Sequence, residues 1–106
     1  MISEETINEI TNKIIKYENP EKIILFGSYA NGNATVNSDL DFMVIKQTDD
    51  KIYKRGRDLK WELADYPFKI DLLIKTPNEF SKWSDIPISF NAKVNNKGKI
   101  LYEQTI

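Results

Sequence analysis

The sequence contains neither cysteine nor histidine. Disulfides, Cys/His zinc sites, cysteine nucleophiles and every Ser-His or Cys-His catalytic pair are thereby excluded. Any chemistry must come from carboxylates, hydroxyls and cations. Glycine and proline are scarce, four of each, so the chain is neither fibrous nor linker-like. Apolar runs are short, as in Ile23 to Phe26, so no membrane span is expected. The opening MISEETINEI is amphipathic and acidic rather than basic and then apolar, which points to a cytoplasmic protein. No charge of either sign dominates. Fifteen Lys and Arg stand against sixteen Asp and Glu, a formal charge of −1, so nothing suggests direct binding to nucleic acid.

What remains is an ordinary globular composition, 41% hydrophobic and 29% charged, in 106 residues. That length predicts a single domain over residues 1–106 with one modest core. Anything that core cannot build alone must come from a partner chain.

Helical and strand patterns alternate along the chain. Ser3 caps a first helix whose Ile7, Ile10, Ile14 and Tyr17 recur on one face, with Glu18-Asn19-Pro20 ending it. KIILFG reads as a buried strand, and SYANGN as a short turn or helix closed by Gly32. Asp39 to Ile45 is a second strand. From Lys51 to Asp65, Ile52, Leu59 and Leu63 lie near one helical face, and Gly56 marks close packing or a weak point. Phe68 to Ile74 is a third strand. Thr76, Pro77 and Glu79 then form a helix start, with cap, first-turn proline and reciprocal glutamate. IPISFNAKVNNKG is ambiguous between helix and strand, and Lys99 to Glu103 reads as a last strand. The predicted class is α+β, a small mixed β-sheet packed against helices.

Two carboxylates stand where a buried strand should begin. Strand side chains alternate, so Asp39 and Asp41 share a face about 7 Å apart, while Leu40, Phe42 and Val44 anchor the other. Like charges on a buried strand repel and lose hydration unless a cation sits with them. Magnesium, which takes a few carboxylates, waters and substrate phosphates, suits that need. Asp71 is a third acid in an apolar strand context, and it joins the others if its strand pairs beside theirs. Gly27-Ser28 ends the first strand, where glycine permits close backbone approach and the hydroxyl and nearby N–H groups can hold phosphate oxygens. These parts together describe metal-assisted nucleotidyl transfer, with Asp71 able to take the proton of an incoming hydroxyl.

Gly27-Ser28, ten residues, Asp39-x-Asp41 and a later strand Asp71 resemble the nucleotidyltransferase superfamily that includes DNA polymerase beta. The chain most resembles the minimal nucleotidyltransferases, in which this domain stands alone. TPNEF and NKGKILYE extend the likeness, which runs from about Ile23 to Glu103. The resemblance implies a nucleotidyltransferase fold, ATP as substrate and a pair of Mg²⁺ ions. It places Asp39, Asp41 and Asp71 as catalytic and metal-ligating residues, and Gly27, Ser28 and Ser38 as nucleotide-binding ones. It also implies a role: members commonly act as antitoxins of HEPN proteins, small helical toxins with RNase activity, by transferring AMP to a toxin tyrosine in a type VII-like pair.

One departure stands out. Many relatives carry Arg in the turn after Gly-Ser, whereas Tyr29 and Asn31 occupy it here, so either triphosphate affinity is weaker or a cation such as Lys46, Arg55 or Arg57 reaches in. Two other readings stay open at this level. The acceptor can be a small hydroxylated molecule such as an aminoglycoside, or the chain can be a non-catalytic antitoxin that works by occlusion. The Lys51 to Lys60 cations read as a solvated helix face because Asp58 interrupts them. Trp61, Trp83 and Tyr102 suit either a core or a partner surface.

Overall fold

The computed structural model describes residues 1–104; the last two positions of the expected domain, Thr105 and Ile106, lie outside the described residues. Helix α1 (Glu4–Glu18) starts at Ser3, whose hydroxyl accepts from the Thr6 N–H at 3.1 Å, and ends at Asn19 in the left-handed conformation. Its buried stripe is Ile7, Ile10 and Ile14, but Tyr17, expected on the same face, is exposed. The Tyr17 hydroxyl sits 3.4 Å from Glu62 instead of entering the core.

Strand β1 (Lys22–Phe26), helix α2 (Ser28–Asn31) and strand β2 (Leu40–Ile45) follow, then helix α3 (Arg57–Leu63), strand β3 (Ile70–Lys75), helices α4 (Pro77–Ser81) and α5 (Phe90–Lys97), and strand β4 (Lys99–Glu103). The expected helix from Lys51 is not continuous. A 3₁₀ turn at Ile52–Lys54 precedes it, and Gly56, at φ 70°, starts α3 afresh. Ile52 is consequently 70% exposed, not part of the apolar face. Gly56 also packs closely: a β-carbon there would come within 2.5 Å of Ile74 Cδ1. Both reasons for glycine at this position hold.

The ambiguous segment before β4 resolves as α5, because the Ser89 hydroxyl accepts from the Ala92 N–H at 3.1 Å and fixes a helix start. At α4 the reciprocal cap forms as the sequence requires, Thr76 accepting from the Glu79 N–H and Glu79 from the Thr76 N–H. Trp61 and Trp83 are exposed, whereas Tyr102 packs partly against the core.

The sheet order is β3-β2-β1-β4, with β1 antiparallel to β2 and β4, and β2 parallel to β3. This is the expected mixed sheet against helices. Ile23, Leu25, Leu40, Phe42, Val44, Leu72 and Ile74 fill the face covered by α1 and α3. Ile24, Met43 and Ile45 lie on the other face with Phe80 of α4 and Val94 of α5. Among the described residues no helix is long and apolar enough to cross a membrane.

Candidate active site

The parallel pairing of β2 and β3 determines where the acids meet. Its register sets Asp41 directly beside Asp71, and Asp39 lies one residue ahead of β2. Neighbouring strands are only about 4.8 Å apart, so the Asp41 and Asp71 side chains must share space. Burial, the Asp71 carboxyl beside it and the negative charges of Asp71 and Asp39 push Asp41 up to about 6, with Lys69 acting in the opposite direction. A carboxylate so disfavoured as an anion is one that a cation would stabilise.

Lys69 partly fills that need. Its Nζ lies 3.8 Å from Asp39 Oδ2 and 3.7 Å from Asp71 Oδ1, spanning acids from two strands. Sequence reasoning missed this residue, although a lysine two positions before a strand acid falls on the same face by simple alternation. The cations named in its place are elsewhere. Lys46 Nζ pairs with Glu18 at 3.3 Å. Arg55 is buried, donating to both Glu79 carboxylate oxygens at 2.6 and 3.1 Å and to the Asp50 and Ile74 carbonyls. This pairing holds the Glu79 carboxyl down at about 2. Arg57 opens α3, which packs on the opposite face of the sheet.

Gly27 joins the turn after β1 to the acids. It stands at φ 77° between β1 and α2, and a β-carbon there would overlap the Asp41 carboxylate. Glycine is needed twice, for the left-handed backbone and for the carboxylate's room. Ser28 follows at the start of α2, where the first N–H groups have no partner within the helix. Gly27-Ser28 therefore lies against Asp41, as the spacing suggests. Ser38 is placed differently. Its hydroxyl accepts from the Thr35 N–H at 2.9 Å and closes the turn that delivers Asp39.

Among the described residues no group of three Asp or Glu side chains is placed to hold a metal ion, the expected set of Asp39, Asp41 and Asp71 included. The donors nevertheless fit a hard divalent ion: they are oxygens only, crowded, and balanced by a single lysine. Magnesium in particular completes its shell with waters and substrate phosphates rather than with an all-protein cage.

Comparison with known proteins agrees with this geometry. The family described as polymerase beta nucleotidyltransferase matches residues 8–106. The "Putative protein adenylyltransferase MJ0604" of Methanocaldococcus jannaschii is 34% identical over 105 residues, covering 96% of this chain and all of that protein. A toxin–antitoxin structure with AMP-PNP superimposes at TM-score 0.61 with 22% identity, covering 92% of this chain and 73% of that one. A mutant of the toxin–antitoxin MntA-HpeT gives 0.57 and 21% over the same shares. The two structures share the fold.

Proposed function

This chain belongs to the polymerase beta nucleotidyltransferase family, and from that premise we propose that it transfers AMP from ATP to a tyrosine hydroxyl of a HEPN-type toxin, with Mg²⁺, as that toxin's antitoxin. Nucleotidyl transfer itself comes with the family and the adenylyltransferase relative. The acceptor, the metal and the partner are our reading. The observation that carries it is the meeting of Asp41 and Asp71 in register beside Gly27. Such crowding is costly to an apoprotein and useful to a metal–triphosphate complex.

Asp39 and Asp41 would hold the metal, with Asp71 sharing it. Bound there, Mg²⁺ supplies charge stabilisation to the attacked phosphate and the departing diphosphate. The chain's own residues do the rest. Gly27 leaves the space in which phosphate oxygens approach the backbone, and the Ser28 hydroxyl donates to one of them. Asp71 takes the proton of the incoming hydroxyl as its oxygen bonds to the α-phosphorus and the bond to the β-phosphate oxygen breaks. Ser38 acts through the turn that orients Asp39.

Two comparisons support the partner: the relative named a protein adenylyltransferase, and the toxin–antitoxin pairs among structural neighbours. The test is incubation with Mg²⁺ and ATP labelled at the α-phosphate, with and without a co-expressed HEPN protein. Label on a toxin tyrosine, lost in Asp39→Asn/Asp41→Asn, is the expected result. Label on small alcohols alone would redirect the reading to a small-molecule acceptor. Toxin neutralised by the double variant would leave occlusion as the mechanism.

A further inference from the structure

A groove of about 300 Å³ begins at Gly27, next to Asp41, and runs between α2 and α5. Phe26 and Phe90 lie along it with rings 5.5 Å apart edge to face, Asn31 stands at one side and Lys93 and Lys97 at the other. No carboxylate lines it. We propose that Lys93 and Lys97 form a polyphosphate subsite that grips the diphosphate portion of the donor while its α-phosphate lies at the acids. This rests on the nucleotidyltransferase reading and gives a role to Lys93, outside the motifs, and to Lys97, within NKGKILYE.

A triphosphate carries about four negative charges at neutral pH, and the Gly27–Gly32 turn has no cation to meet them. Lys46 and Arg55 are engaged elsewhere, and Lys69 is tied to the acids themselves. Lys93 and Lys97 are exposed, four residues apart on one face of α5, and form no ion pair among the described residues. Like charges at this spacing repel, which an anion between them reverses. Helix polarity accounts for Lys97, in the last turn, but not for Lys93 one turn earlier. The site is also held firmly in place. Val94 is buried against β1, and Gly98 brings the end of α5 so near Ile24 that a β-carbon would clash.

The experiment is calorimetric titration of the full chain with Mg²⁺–ATP, AMP and inorganic tripolyphosphate, comparing wild type, Lys93→Gln/Lys97→Gln, Lys93→Arg/Lys97→Arg and the remote Lys60→Gln. The glutamine pair is expected to weaken ATP and tripolyphosphate at least ten-fold, to spare AMP, and to flatten the salt dependence. The arginine pair and Lys60→Gln should retain wild-type affinity, and all variants should melt alike. ATP affinity within two-fold of wild type in the glutamine pair, or equal weakening of ATP and AMP, overturns the subsite alone. A wild type that binds no ATP overturns the nucleotide reading and the subsite with it.

Discussion

On the side covered by α1 and α3, β2 presents Leu40, Phe42 and Val44, all fully buried; on the other side the same strand presents Asp41, Met43 and Ile45. Strand alternation alone makes this division, and a slip of one residue would put the acid into the core. The first face gathers the isoleucines of α1 and the leucines of α3. The second holds a smaller apolar cluster and leaves its rim to carboxylates and lysines. Stability is concentrated on one face, and charge that works against stability on the other.

The largest effect should come from breaking the first face. Phe42→Ala removes a fully buried ring and should cost about 3–5 kcal/mol, a large part of a small domain's stability. Urea unfolding measures it, and a loss under about 1 kcal/mol would mean that this face does not dominate. Next comes the junction of the two, Gly27→Ala. A side chain at φ 77° adds about 1–2 kcal/mol of backbone strain and displaces the Asp41 carboxylate, so AMP transfer should fall at least 100-fold while the fold survives. Retained transfer would show that the carboxylate is not needed where it lies.

A smaller loss tests a charge that stabilises. Glu79 is about 2 when folded against an ordinary 4.5, so its contribution is complete above pH 4.5 and disappears as pH falls toward 2. Glu79→Gln should lower the melting temperature by roughly 5 °C at pH 7 and by little near pH 2. A constant offset across that range would count against the ion pair.

In stability, Asp41→Asn should produce the smallest change and the opposite sign. Asp41 sits at about 6 when folded against 3.8 otherwise, so its stabilising contribution is present below pH 4 and lost as pH rises through 6. Without metal, the asparagine variant should exceed wild type at pH 7 by roughly 1 kcal/mol, discounted for partial exposure, and lose transfer entirely. Melting curves from pH 4 to 7 would settle the comparison: if the variant is no more stable at pH 7, the second face carries no stored repulsion.

Features encoded within a few residues were readable from sequence. The Ser3 cap, the Thr76-Pro77-Glu79 start and the alternation through Asp39–Ile45 each need only local spacing. Asp71 was readable as an acid out of place, and its meeting with Asp41 followed from which strands pair. What escaped depends on contacts between distant segments. The 3₁₀ turn at Ile52–Lys54 takes the place of the first turn of the helix expected from Lys51. Arg55 faces inward because Asp50, Ile74 and Glu79 converge on it from three segments. Lys69 bridges acids on separate segments; alternation puts it on the face of Asp71 but does not mark the reach to Asp39.

The parallel pairing of β2 with β3 also sets an order of assembly. β1 and β2 pair antiparallel across residues 27–39, which include α2, so the pairing that places Asp39 and Asp41 needs no residue beyond β2. Asp71 follows Asp41 by 30 residues, across a crossover containing α3. At about 5–20 residues per second, roughly 2–6 s of synthesis separate the second acid from the third. During that interval Asp39 and Asp41 have been synthesised and the strand that carries Asp71 beside them has not.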